Sequence, residues 1–164
     1  MAAAPIHVGM ADMVVSKHPA NLVTLGLGSC IGLVIYDQAS KAAGMVHIML
    51  PDSREAKNLP KPGKFADTAV PLLLDELAKL GVNRTQLRAK MAGGAQMFAM
   101  PGRTDNAIFA VGNRNAEATT KMLAEAGIKI VASDTGGSKG RTIEFSTETM
   151  KLIVKTLGSG TKEL

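Results

Sequence analysis

Apolar residues in the first third of the chain occur in short runs and alternations, which is the pattern of strands buried on one or both faces. Four such runs are present: 7–16, 21–28, 31–37 and 42–50. The last two are separated only by the turn-forming stretch QASK, which predicts an antiparallel hairpin. A turn centred between Ala39 and Ser40 places Ile31 opposite Ile48 in that hairpin.

Apolar positions recur every three or four residues in 65–81 and again in 113–127, the spacing of amphipathic helices. Pro71 lies inside the first pattern and predicts either a kink or a helix that starts later. The second helix is expected to be capped by Asn113 or Asn115.

The remaining segments complete a mixed pattern. Further strands are predicted at 87–95, 128–134, 141–147 and 150–158. The polar, proline-containing segment 51–64 predicts a surface loop that could gate a site, and the tail from 158 to 164 is expected to fray. This order predicts a single α+β (mixed α/β) domain over 1–164, with layered mixed β-sheets and two to three outer helices.

Composition narrows the function classes. The chain has 164 residues, a net charge of +5 and one cysteine, so it forms no internal disulfide and is expected in the cytoplasm. The basic residues are scattered and aromatic residues make up only 3% of the chain, which argues against nucleic-acid binding. No apolar run is long enough to insert into a membrane, and no cofactor or metal is predicted because no cluster has metal-ligand spacing.

Cys30 is the candidate for chemistry. A lone cysteine is either a small buried apolar residue or a nucleophile that needs an imidazole partner. His47 lies within an apolar strand, and the hairpin register places it diagonal to Cys30. An adjacent imidazole takes the thiol proton and stabilises a thiolate as an ion pair. Thr24 either orients that imidazole or is simply a good strand former.

Gly26, Gly28 and Ser29 lie shortly before the cysteine and suggest a tight turn whose backbone N–H groups point at a developing oxyanion. Two glycine turns, AGGA and DTGG, either only turn the chain or shape the mouth of the site. Arg114 lies at a helix start and either remains in solvent or contacts an acidic substrate.

Several blocks in order resemble one family. They are TLGLGSC (24–30), GMVHIMLP (44–51), KFADTAV (64–70), KMAGGAQMF (90–98), VGNRNAEA (111–118) and SDTGG (133–137). Together they resemble the chemoreceptor glutamine deamidases of bacterial chemotaxis, the CheD family. One departure is Phe65, where the family has tyrosine, and the aromatic ring is kept.

The resemblance implies an amidohydrolase that converts glutamines of methyl-accepting chemotaxis receptors to glutamate with release of ammonia, and receptor methyl esters as secondary substrates. It implies Cys30 as nucleophile, His47 as general base and Thr24 as third member, on a fold similar to deamidating bacterial toxins. It also implies binding to the chemotaxis phosphatase CheC. The alternative is a binding module of the same fold that regulates CheC with little or no catalysis.

Overall fold

Two five-stranded sheets and two α-helices form the part of the chain that the computed structural model describes, residues 3–54, 56–57, 61–97 and 110–164. The strands are β1 (Pro5–His7), β2 (Met13–Lys17), β3 (Asn21–Leu27), β4 (Ile31–Asp37), β5 (Ala42–Ile48), β6 (Arg88–Gly93), β7 (Lys129–Thr135), β8 (Arg141–Ser146), β9 (Leu152–Thr156) and β10 (Gly160–Glu163). The helices are α1 (Ala66–Ala78) and α2 (Val111–Glu125), with 3-10 turns at Pro62–Lys64 and Arg84–Gln86. No described helix is both long and apolar enough to cross a membrane.

The strands divide into an outer sheet and a central sheet. The outer sheet has the order β1-β3-β8-β9-β10, and the central sheet has the order β2-β5-β4-β6-β7. Each sheet contains one parallel pair, β1 with β3 and β6 with β7, and its other pairs are antiparallel. The α+β class and the mixed sheets of the sequence prediction are confirmed.

The central sheet is covered on both faces. Every residue of β4 is buried, because Ile31, Leu33 and Ile35 face the helices whereas Val34 and Tyr36 face the outer sheet. The three layers are therefore outer sheet, central sheet and helices. This arrangement explains why β4 and β5 are continuous apolar runs and do not alternate with polar residues.

The β4–β5 hairpin has the register that the sequence predicts. Ile31 pairs with Ile48 and Gly32 pairs with His47. The outer sheet approaches closely at this point, since a Cβ atom on Gly32 would lie 2.4 Å from Ile143 Cδ1 and 3.3 Å from Thr24 Cγ2. Glycine at this position therefore lets β3 pass directly over the end of the hairpin.

The predicted single strand over 7–16 is wrong. β1 ends at His7 and pairs with β3 in the outer sheet, whereas β2 begins at Met13 and pairs with β5 in the central sheet. The intervening residues turn the chain from one layer to the other, with Ala11 at a φ of 64°. Its N–H donates to the carbonyl of His47 over 3.0 Å, so this turn packs against the middle of the predicted site.

The prediction of a frayed tail is also wrong, because residues 160–163 form β10, which pairs antiparallel with β9. Leu164 exchanges two backbone hydrogen bonds with Leu152, of 2.8 and 3.0 Å. The side chains of β10 are exposed, so backbone hydrogen bonds fix this strand, and its polar sequence carries no burial pattern.

The helices begin earlier than two of the sequence signals indicate. α1 begins at Ala66 and continues through the exposed Pro71, so the later start is wrong. α2 begins at Val111, and Ala110 is its N-cap without a side-chain hydrogen bond. Asn113 and Asn115 therefore lie inside α2 and do not cap it.

Candidate active site

A chain of hydrogen bonds joins the two sheets at the predicted site. The Thr24 hydroxyl donates to the carbonyl of Val8 over 2.6 Å, and its oxygen lies 2.8 Å from His47 Nδ1. Thr24 and His47 are both 1% exposed. β3 supplies the threonine from the outer sheet, and β5 supplies the imidazole from the central sheet.

This network selects one tautomer of His47. A hydroxyl has a single proton, and the Val8 carbonyl, which can only accept, receives it. His47 Nδ1 must then carry the proton that it donates to Thr24, which leaves Nε2 with its lone pair. His47 Nε2 is buried and has no hydrogen-bond partner among the described residues. A buried acceptor that is held in place and unpaired is suited to take a proton.

Cys30 lies at the end of the loop that links the two sheets, directly before β4. It stands two residues before Gly32, the partner of His47, so the thiol and the imidazole share one face of the central sheet on a diagonal. Diagonal positions in an antiparallel pair are about 7–8 Å apart and within reach of longer side chains. Cys30 is partly buried, and it packs beside the cluster between the sheets. The structure thus brings Cys30, His47 and Thr24 together.

Burial shifts the pKa values of Cys30 and His47. Burial raises the pKa of the Cys30 thiol, and burial lowers the pKa of His47, with the Asp12 carboxylate opposing that second shift. Both directions favour the neutral forms. Nε2 and the thiol share no hydrogen bond in this structure, so the thiolate–imidazolium pair stays a prediction.

The AGGA turn supports the loop that carries the cysteine. Gly94 N–H donates to the carbonyl of Cys30, and Ala95 N–H donates to the carbonyl of Gly28, each over 2.8 Å. A Cβ atom on Gly93 would lie 2.2 Å from Cys30 O, so only glycine permits this approach. Of the two interpretations of AGGA, the one in which it shapes the site is supported.

The three residues predicted to form the oxyanion turn differ in their exposure and in their hydrogen bonds. Gly26 is exposed, with a φ of 67°, in the bulge between Thr24 and Leu27. Gly28 N–H already donates to the carbonyl of Gly26 over 3.1 Å, so it is not free to meet an oxyanion. Ser29 is partly buried, and its carbonyl is held by α2. The N–H of Cys30 has no acceptor among the described residues.

Asn115 is the site residue that sequence reasoning missed. Its Nδ2 donates to the carbonyls of Ser29 and Met49, each over 2.9 Å, and its side chain is fully buried. One amide thus connects the loop before the nucleophile to the residue that follows β5. The signal was available, since Gly112, Asn115, Thr119 and Leu123 form the buried stripe of α2. A buried polar residue in such a stripe needs a partner.

Among the described residues, no three His, Cys, Asp or Glu side chains lie close enough together to hold a metal ion.

The chain was also compared with known proteins. Residues 49–156 match the family model described as CheD chemotactic sensory transduction. The chain is 50% identical to the chemoreceptor glutamine deamidase CheD of Halalkalibacterium halodurans, across 97% of this chain and 98% of the relative. It is also 50% identical to the probable chemoreceptor glutamine deamidase CheD of Caldanaerobacter subterraneus, across 96% of each chain.

Among solved structures, the Neisseria meningitidis protein NMB0706 superposes with a TM-score of 0.49 at 10% identity, covering 81% of this chain and 64% of that one. The family model matches more than half of the chain, and the similarity to the two relatives extends over nearly all of it. The chain belongs to the CheD family of chemotactic sensory transduction proteins.

Proposed function

We propose that this protein is an amidohydrolase that deamidates glutamine side chains of methyl-accepting chemotaxis receptors in chemotaxis adaptation. The observation that carries the proposal is the Thr24–His47 hydrogen bond, which leaves a buried Nε2 with no partner among the described residues, on the sheet face where Cys30 lies diagonal to His47. The relatives that carry this activity in their names match the chain over almost its whole length.

The first half of the reaction is acyl transfer to sulfur. His47 Nε2 takes the Cys30 proton as the sulfur attacks the carboxamide carbon of the glutamine. The resulting oxyanion accepts a hydrogen bond from the Cys30 N–H. The imidazolium then donates its proton to the amide nitrogen, the C–N bond breaks, and ammonia leaves behind a thioester. The proton thus travels from thiol to leaving group through one atom, Nε2.

The second half is hydrolysis. His47 Nε2 takes a proton from water as the oxygen attacks the thioester carbon. The C–S bond breaks, the thiol regains that proton from Nε2, and the product leaves as a carboxylic acid that loses its remaining proton to solvent to become glutamate. During both halves Thr24 accepts from Nδ1, and the Asp12 carboxylate favours the transient imidazolium. A methyl ester enters the same cycle with methanol as the leaving group, so secondary methylesterase activity is part of the proposal.

We place the reaction in the cytoplasm, because a nucleophilic thiol requires a reducing compartment. The substrate partner is the receptor protein, and nucleic acid and membrane lipid have no role in the chemistry. Binding to CheC stays a prediction, as does the likeness of the fold to deamidating toxins. A module that only regulates CheC would not require an imidazole held in one tautomer beside a thiol, so catalysis is the preferred function.

The test is ammonia release from a cytoplasmic receptor fragment. Wild-type protein is expected to release ammonia, and Cys30→Ala and His47→Ala are expected to release none while their circular dichroism matches wild type. His18→Ala is the matched control, since that ring hydrogen-bonds to Thr147 and not to the site, and it should keep full activity. Activity in Cys30→Ala, or none in the wild type with CheC absent and present, would reject the proposal.

A further inference from the structure

A surface cavity of about 540 Å³ lies beside the site, on the side of the two helix N-termini. Its walls include Leu50, Lys57, Lys64, Phe65, Val111 and Arg114. This volume is in the range of ligand-binding clefts in proteins. We call this cavity the basic cleft.

Among the described residues that line the basic cleft, cations outnumber carboxylates. Lys57, Lys64 and Arg114 line it together with Arg54, and Asp52 is the one carboxylate in that described lining. Asp52 already pairs with Arg54, whose hydrogen bonds hold the pKa of that carboxyl below its usual range, and the charge of Arg114 adds to the effect. The remaining field is positive, so an incoming anion would meet unbalanced cationic charge.

One helix adds to this field. Phe65 and Ala110 are the N-caps of α1 and α2, and neither helix has a side-chain hydrogen bond at its cap. α1 has Asp67 in its first turn, whereas α2 has no acidic residue there to balance the positive end of the helix dipole. The positive end of α2, whose first residue Val111 lines the cleft, therefore adds to the charge of the cations.

Two walls of the basic cleft are chain neighbours of residues at the candidate active site. Arg114 is adjacent to Asn115, which hydrogen-bonds to Ser29 and Met49 on the two sides of the site. Leu50, a wall of the cleft, follows Met49 directly. A protein segment that presents a side chain to Cys30 would therefore place neighbouring residues over the cleft.

We propose that the basic cleft binds acidic side chains of the protein substrate that lie near the target glutamine. This inference rests on the proposed function and adds a specificity determinant to it. The occupant is a peptide carboxylate and not a free anion, because apolar walls at Leu50, Phe65 and Val111 lie beside the cations. Such walls suit the aliphatic stem of a glutamate, whose carboxylate then reaches Lys57, Lys64 or Arg114.

The experiment uses two fluorescent peptides with the same target glutamine, one flanked by glutamates and one with serine at those positions. Binding to the full-length Cys30→Ala protein is measured by anisotropy, and turnover of both peptides is measured with the active protein. The acidic peptide should bind about threefold to tenfold tighter, and added salt should remove the difference. In Arg114→Glu the preference should be lost, and Arg114→Lys should keep most of it.

The matched control is Lys121→Glu, the same charge reversal at an exposed lysine of α2 that pairs with Glu125 away from the cleft. It should leave the preference intact. Equal binding of the two peptides, an equal loss in Lys121→Glu, or equal competition by inorganic phosphate against both peptides would overturn the inference. If the acidic peptide binds more tightly but neither peptide is deamidated, the proposed function fails and the inference about the cleft stands. If both peptides are deamidated but bind equally, the inference about the cleft fails and the proposed function stands.

Discussion

Thr24→Val tests the hydrogen-bond chain at the centre of the site. The substitution keeps the shape of the side chain and the strand propensity of β3, and it removes only the hydroxyl. Two buried groups then lose their partner: the carbonyl of Val8, in a residue 2% exposed, and Nδ1–H of His47, in a residue 1% exposed.

Each buried group left without a partner costs about 1–3 kcal/mol, so Thr24→Val should lower the free energy of unfolding by about 2–6 kcal/mol. The orientation of His47 is lost with one of those hydrogen bonds. About 1–3 kcal/mol of lost positioning corresponds to roughly a 5- to 150-fold fall in kcat, since 1.36 kcal/mol is a factor of ten. KM should change little, because the hydroxyl is buried and does not meet substrate.

The assays are urea unfolding and ammonia release from a receptor fragment. Thr24→Ser keeps the hydroxyl and should restore most of both quantities. Thr119→Val is the matched control, because Thr119 is fully buried and its hydroxyl has no partner in the described part of the chain. The reasoning is refuted if Thr24→Val loses no more stability and activity than Thr119→Val, or if Thr24→Ser loses as much as Thr24→Val.

Three further outcomes follow from burial at the site. Burial lowers the pKa of His47, so the unfolded state binds its proton more readily than the folded state. The free energy of unfolding should therefore fall as pH drops below about 6.5, and urea titrations of His47→Gln should show a smaller fall. Burial raises the pKa of Cys30, so iodoacetamide should alkylate it slowly near neutral pH and faster as pH rises past about 8.5, as followed by mass spectrometry. Asn115→Ala should lower stability by about 1–3 kcal/mol in total, less than Thr24→Val because the two hydrogen bonds it removes are only part-buried. It should also reduce kcat about tenfold, because the nucleophile loop is no longer fixed to the residue that follows β5.

Each of these has a contrary outcome. A His47→Gln curve parallel to wild type below pH 6.5 would show that the imidazole titrates alike in both states. Rapid alkylation near neutral pH that disappears in His47→Gln would show a resting ion pair. Asn115→Ala with wild-type kcat would show that α2 does not position the loop, and Asn113→Ala, an exposed neighbour in α2, is its control.

Local patterns predicted the site because its central pair lies in one hairpin. The turn between β4 and β5 is short, so the register followed from counting, and Cys30 and His47 were placed on one face before the structure was known. The amphipathic periods located both helices for the same reason. The hairpin register and the helix periodicity both depend only on residues that are close together in the chain.

Contacts between layers could not be predicted in the same way. The sequence leaves two interpretations of Thr24 open, because its partner Val8 lies on a turn within a segment whose pattern predicts a strand. It predicts a cap at Asn115, because the two carbonyl partners of Asn115 come from distant segments. The pKa shifts of Cys30 and His47 arise from burial between two sheets, which depends on the packing of both layers and is not visible in one hairpin.

Tandem mass spectrometry of a receptor fragment after turnover in ¹⁸O-labelled water tests the central claim most directly. With wild-type protein we expect a defined glutamine to become glutamate carrying one ¹⁸O atom, and with Cys30→Ala we expect that glutamine to remain an amide. Conversion of the same glutamine at the same rate by Cys30→Ala would contradict the account, since the amide would then have been hydrolysed without a thioester to Cys30.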